Sequence, residues 1–190
     1  MDFFFGEVKT PTLENSEDFW AYRSVEKSIL DIQGLTPSSD FGLEAKGFAD
    51  PGQHVGDSAM VGDGTGQKPD TDRFKKWYLS VPVRFGDLRV EPALEYQSVR
   101  VDLAKVRAHR DSLGLNNDQA PYKVFAAYEL RRAAVGVEVY TRVNHKVPST
   151  KATEPRGISV FARGTGPASV TPPYHDLQAR VTFYYRYSRP

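Results

Sequence analysis

The sequence contains no cysteine, and this absence excludes disulfide bonds and thiolate metal ligands. It has no run of about 20 apolar residues, so no membrane-spanning helix is predicted. The 25 Lys and Arg residues are nearly balanced by 24 Asp and Glu residues. No bulk charge therefore points to nucleic acid as a partner. A chain of 190 residues is long enough for one domain, residues 1–190, with a sizeable core.

Residue types that often carry catalysis are sparse and scattered. The four histidines fall in turns and loops, and no spacing brings three of them together. Asp63, Asp70 and Asp72 are neighbours in a Gly-rich loop, but their spacing does not match a calcium-binding loop. There is no Gly-rich phosphate loop and no nucleophile motif. We predict neither a cofactor nor a metal nor an enzyme, and a membrane enzyme using His109 is the weakest alternative.

Long alternation of apolar and polar residues is the dominant pattern in the chain. Between residues 76 and 85 the apolar positions are Trp77, Leu79, Val81, Val83 and Phe85. The same alternation recurs in residues 88–97 and 177–187. Side chains of a strand point alternately to opposite faces, so one face is apolar and the other is charged. A strand that crosses a bilayer needs about 9–11 residues, whereas strands of soluble proteins have about 5–6. The pattern therefore favours a transmembrane sheet.

The predicted fold is all-β, an antiparallel transmembrane-type β-barrel of about 8–10 strands with one short helix in a loop. Nine strands are predicted, at 2–9, 40–47, 55–61, 76–85, 88–97, 122–131, 133–144, 158–163 and 177–187. The helix is predicted over 16–33, where apolar residues recur at helical spacing and Gly34 follows. Bacterial barrels have an even number of strands with short turns at one end. Nine strands, and the long connection from Gly164 to Asp176, do not fit that scheme.

Several N-terminal segments resemble bacterial outer-membrane porins of the phosphate-selective O and P type. These segments are Gly6 to Pro11 (GEVKTP), Arg23 to Ile29 (RSVEKSI), Ser38 to Gly47 (SSDFGLEAKG) and Val61 to Gly64 (VGDG). The resemblance implies a bacterial outer-membrane location, with outer-membrane lipid around the chain and homo-oligomers as a possible assembly. It also implies passive diffusion of small hydrophilic solutes.

Charged residues on the polar parity are the predicted lining of the pore. They are Lys76, Arg84, Arg89, Glu91, Glu95, Lys123, Glu129, Arg131, Glu138, Arg142, Arg163, Arg180 and Arg186. With Glu7, Lys9, Glu44 and Lys46 included, the parity carries eleven basic and six acidic residues. Rings of Arg and Lys select anions, so small anionic solutes are the predicted partners, with a mild preference. Alternatively, these charges pair across strands and fill a narrow barrel.

A soluble or water-adapted β-barrel that binds a ligand in its interior is the alternative function. The low share of hydrophobic residues, 39%, favours it, as does Asp57 on an otherwise apolar parity. The predicted helix either narrows the barrel or packs on an ordinary core. The interpretations differ in one observable, the side of the sheet on which the apolar parity lies.

Overall fold

The structure, a computed structural model, describes residues 1–20, 29–32, 34–67, 75–97, 118–131, 133–145, 153–164 and 177–188. Two helices are present, α1 (Pro11–Trp20) and α2 (Ile29–Ile32). The strands are β1 (Asp2–Lys9), β2 (Ser39–Phe48), β3 (Gly56–Gly62), β4 (Lys76–Ser80), β5 (Val83–Phe85), β6 (Leu88–Gln97), β7 (Asp118–Leu130), β8 (Ala133–His145), β9 (Thr153–Gly164) and β10 (Leu177–Ser188).

All ten strands form one antiparallel sheet in the order β1-β2-β3-β4-β6-β7-β8-β9-β10, and β5 pairs with β6. The prediction of an all-β antiparallel fold is confirmed. The count rises from nine to ten because the strand predicted over 76–85 is broken. β4 and β5 both pair with β6, and Val81 and Pro82 lie between them. The Pro82 carbonyl accepts a hydrogen bond from the Gly56 N–H at 2.8 Å. Since proline has no N–H to donate, it interrupts the ladder at this point.

Two prolines inside strands lie at interruptions of the hydrogen-bond ladder. Pro92 of β6 is opposite the break between β4 and β5, and its carbonyl accepts the Val81 N–H at 3.1 Å. Pro121 of β7 lies where the pairing of β6 with β7 skips Glu95 and Tyr96. The missing N–H groups are thereby placed where the ladder has gaps, which is how sheets tolerate proline.

The helix prediction was wrong in its bounds. α1 begins at Pro11, five residues before the predicted start, and the separate α2 ends at Ile32. Residues 21–28 of the predicted helix lie outside the described residues. Proline is favoured at the first position of a helix because its φ is already helical, and the Thr10 carbonyl accepts the N–H groups of Leu13 and Glu14. The predicted stop is correct, since Gly34 has φ +63° and donates to the Asp31 carbonyl.

The sheet has a turn end and a loop end. At the turn end the connections are 49–55, 86–87, 131–132 and 165–176, and at the loop end they are 10–38, 63–75, 98–117 and 146–152. The predicted short turn at Gly86-Asp87 agrees with this arrangement, and Arg132 lies outside the described residues. Residues 165–176 of the long connection lie outside the described residues.

β1 and β10 are the two edges of the sheet. No pairing joins them among the described residues, so the sheet is not closed in the part of the chain that the structure describes. Because β4 and β5 run as one broken strand, the sheet makes nine passes. β1 and β10 consequently run in the same direction, from the turn end to the loop end.

The two faces of the sheet differ sharply in polarity. We call the face covered by α1 the inner face; α1 contacts β3, β4 and β6. The outer face carries exposed apolar side chains such as Trp77 (60% exposed) and Phe5 (79% exposed). Charged residues such as Glu91 and Lys123 are buried on the inner face. Neither helix in the described part of the chain is long and apolar enough to cross a membrane.

Candidate functional site: the charged inner face

Glu95 of β6 is the centre of the inner-face network. Its carboxylate lies 2.6 Å from the Lys76 ammonium of β4, and the two side chains are 1% and 3% exposed. Thr36 donates a hydrogen bond to Glu95 at 2.6 Å, and Thr12 of α1 donates to the other carboxylate oxygen. A buried carboxylate is stable when a counter-charge and hydrogen bonds replace its water. Glu95 therefore joins the sheet to α1 and to the segment after α2.

Glu91, two positions along the same face of β6 beyond Ala93, forms a second buried pair. Its carboxylate accepts a hydrogen bond from Ser80 at 2.7 Å and lies 3.5 Å from the Lys123 ammonium of β7. Lys123 also donates to the Ser16 hydroxyl of α1 at 3.0 Å. The helix is thus held by polar groups of both β6 and β7.

Asp40 of β2 ties the loop after β3 to the inner face. It accepts the Tyr78 hydroxyl at 2.8 Å, the Gly64 N–H at 2.7 Å and the Gly66 N–H at 3.0 Å. Both glycines have positive φ, which lets the loop backbone turn toward the carboxylate. Sequence reasoning missed Asp40, although it has the same strand parity as the predicted Glu44.

Apolar side chains from α1 fill the rest of the inner face. Phe19 contacts Phe125 of β7 and Phe161 of β9, with ring centroids 5.8 Å and 6.1 Å away. Phe161 lies across Gly136 of β8, where a Cβ atom would meet the ring at 2.2 Å. Leu13 packs with Leu30 and Tyr140 in a second cluster. Within the described residues the middle of the inner face is therefore filled by side chains.

A cavity of about 220 Å³ remains at the turn end of the inner face. Its polar lining includes Arg84, Arg89, Glu91, His54 and Asn15. Arg89 lies 3.1 Å from Glu129, and this pair is about 40% exposed. The cavity thus presents guanidinium groups to water at one end of the filled interior.

Asp50 organises the turn beside this cavity. Its carboxylate accepts the Val55 N–H at 2.7 Å and the His54 N–H at 2.8 Å, and the His54 ring lies 2.9 Å away. These hydrogen bonds, the one from Val55 above all, lower the pKa of Asp50 from 3.8 to about 2. The left-handed backbone at Gln53, with φ 56°, completes the turn.

The predicted lining residues fall into several groups. Lys76, Glu91, Glu95, Lys123 and Glu138 are buried on the inner face. Arg89, Glu129 and Arg142 are half-buried, while Arg84 and Arg131 are exposed at the turn end. The side chains of Arg163, Arg180 and Arg186 lie outside the described part of the chain.

Two corrections to the predicted charge pattern follow, the first from the strand register and the second from burial. Glu7 and Lys9 of β1 lie opposite Phe41 and Ser39 on the outer face, because Phe4, Gly6 and Val8 take the inner parity of that strand. Among the described residues, the buried charges are six carboxylates (Glu17, Asp40, Glu44, Glu91, Glu95, Glu138) and two lysines (Lys76, Lys123). The expected excess of positive charge is not found in this buried part.

No described group of His, Asp or Glu has the arrangement of a metal site. His109, Asp70 and Asp72 lie outside the described residues. No family model, curated protein or solved structure matches the chain. The porin resemblance therefore stays a prediction.

Proposed function

We propose that this chain is a bacterial outer-membrane protein of β-barrel type that admits small hydrophilic solutes by passive diffusion, with a mild preference for anions. The observation that carries the proposal is the inverted polarity of the sheet, with apolar residues outside and ion pairs inside. A water-exposed sheet buries its apolar parity and exposes its charges. Lipid reverses that preference, as it does on the outside of membrane barrels.

The size of the outer apolar surface supports a membrane location. Twenty large hydrophobic side chains of the described residues are at least 37% exposed, and all of these except Phe4 and Phe48 are outside the inner parity. The largest apolar patch of a soluble monomer covers only a few hundred Å². On β8 the outer residues run from Ala133 to Val143 and are apolar except for Thr141, near the loop end. At about 3.4 Å per residue and a tilt of about 40°, this stretch would span about 26 Å, close to the apolar band of about 25 Å in membrane barrels.

A membrane location requires the sheet to close. Unpaired backbone groups at a sheet edge are too costly in hydrocarbon, so membrane sheets form closed barrels. Closure of β1 on β10 would be a parallel pairing, because the two strands run in the same direction. The outer charges fit this location: Asp57 is half-buried and is the second residue of β3, at the turn end.

The solute path in this proposal begins at the turn-end cavity. Arg84 and Arg89 line it, and their positive charge supports the anion preference. Beyond the cavity, α1 covers the inner face. Passage through the barrel then requires α1 to move. Polar links hold the helix, among them Thr12 to Glu95 and Lys123 to Ser16, and these can be exchanged for water.

Planar-bilayer conductance tests the pore. We expect small channels from the wild type and more frequent or larger openings from the Thr12→Ala/Ser16→Ala variant, because two of the links between α1 and the sheet are removed. Ser39→Ala, which removes an exposed hydroxyl on β2, is the matched control and should behave as wild type. A reversal potential that favours chloride over potassium would support the anion preference. If neither the wild type nor the double variant conducts ions after its insertion into the bilayer is verified, diffusion through the barrel is refuted.

The membrane location itself is tested by purification. The wild type should need detergent to stay monodisperse, should float with phospholipid vesicles and should show heat-modifiable migration. A protein that stays monomeric without detergent would instead favour the alternative, a water-adapted barrel with a ligand in its 220 Å³ cavity.

A further inference from the structure

A groove of about 730 Å³ crosses the sheet over β7, β8 and β9, toward the loop end. Its lining includes an apolar row of Val124, Val139 and Ile158, which lie side by side in register on the three strands. The next row toward the loop end is polar, with Tyr122 opposite Thr141 and Thr141 opposite Arg156. The volume is within the range of pockets that hold small ligands, about 300–1,000 Å³.

Arg156 is exceptional on this surface. Among the side chains that the structure describes, it is the one charged residue on the outer face of β4 to β9. A lipid-facing arginine is costly at the bilayer midplane and inexpensive near the interface. Its row lies next to the aromatic Tyr122, as expected of an interfacial position.

We infer that this groove binds an anionic phospholipid of the leaflet at the loop end, an inference that rests on the proposed membrane location. Arginine forms bidentate, charge-assisted hydrogen bonds with phosphate oxygens. Tyr122 and Thr141 add hydroxyl donors in the same row, and Tyr122 and Arg156 lie two strand spacings, about 10 Å, apart. The acyl chains lie on Val124, Val139 and Ile158. Charge complementarity thus selects a phosphate headgroup with a net negative charge over a zwitterionic one.

Native mass spectrometry of the detergent-solubilised protein tests this inference. The protein is titrated with phosphatidylglycerol and, separately, with phosphatidylcholine of the same chain length. We expect wild type to retain phosphatidylglycerol preferentially, and Arg156→Gln to retain it about tenfold less, because charge-assisted hydrogen bonds are lost. Arg131→Gln makes the same charge change at an exposed position of the turn end and should retain phosphatidylglycerol like wild type. Heat-modifiable migration verifies that each variant is folded.

Three outcomes would overturn the lipid site. They are equal retention of the two lipids by wild type, unchanged retention by Arg156→Gln, and an equal loss in both arginine variants. A dimer that disappears in Arg156→Gln, without a change in lipid adducts, would assign the groove to contacts between copies. Vesicle flotation separates the two proposals. A wild type that does not float refutes the membrane location, whereas one that floats without lipid preference refutes only the site.

Discussion

Removing the charge of Glu95 tests whether the inner face is dry or lines an open aqueous channel. In Glu95→Gln the side chain keeps its size, and its carbonyl can still accept a hydrogen bond from Thr36. The Lys76 ammonium, 3% exposed and 2.6 Å from Glu95 in the wild type, loses its counter-charge. Removing one partner of a buried ion pair destabilises a protein by about 3–5 kcal/mol. In an open aqueous channel the same pair would contribute about 0–1 kcal/mol.

Urea unfolding in detergent micelles, followed by tryptophan fluorescence, measures the effect. With a slope of about 2 kcal/mol per molar urea, Glu95→Gln should lower the midpoint by about 2 M. The double variant Lys76→Met/Glu95→Gln should recover at least about half of the loss, because it leaves no uncompensated buried charge. The control is Lys9→Gln, which breaks the exposed Lys9–Asp18 pair at 48% and 59% exposure and should cost less than about 1 kcal/mol.

Additive losses below about 1 kcal/mol for Lys76→Met and Glu95→Gln would contradict this reasoning. Such a result would mean that water reaches the pair, and the inner face would have to be described as an open channel. If Lys9→Gln lowered the free energy of unfolding as much as Glu95→Gln, burial of the ion pair could not be the cause of the loss.

Two further predictions concern the turn and the outer face. The lowered pKa of Asp50 stabilises the folded state fully above pH 3.8, and this contribution is lost as the pH falls through about 2. Asp50→Asn should therefore have a lower free energy of unfolding than wild type at pH 7. In denaturation measured as a function of pH, this difference should vanish toward pH 2. A difference that stays constant with pH would refute the assignment. Val160→Lys, in the middle of the outer face, should cost about 2–4 kcal/mol in phospholipid vesicles, and Val143→Lys, near the loop end, about 0–1 kcal/mol. Changes within about 0.5 kcal/mol at both positions would indicate that the outer face meets water.

The strands were predictable because alternation is a local signal that each segment carries by itself. The same signal did not predict strand bounds that depend on the pairing with neighbouring strands. β9 begins at Thr153 and not at residue 158, because Pro155 is paired with β10 alone and costs no hydrogen bond to β8. Pro82 broke a strand for the opposite reason, since it interrupts the pairing of β4 and β5 with β6.

The inner-face network was only half predictable. Strand parity placed Lys76, Glu91 and Glu95 on one face, and the structure agrees. The hydrogen-bond partners of Glu95 could not be predicted from the sequence, because Thr12 is 83 residues away and reaches Glu95 only when α1 folds over the sheet. The start of α1 was misplaced because the apolar spacing used for the prediction begins after residue 16, whereas the helix begins at Pro11, a residue type favoured at the first helical position.

The nine passes of the sheet have a topological consequence. Asp2 lies at the turn end and Ser188 at the loop end. Under the proposed membrane location, a reporter fused before Asp2 and one fused after Ser188 would be in different compartments. A protease added to intact cells would then reach only one of the two tags.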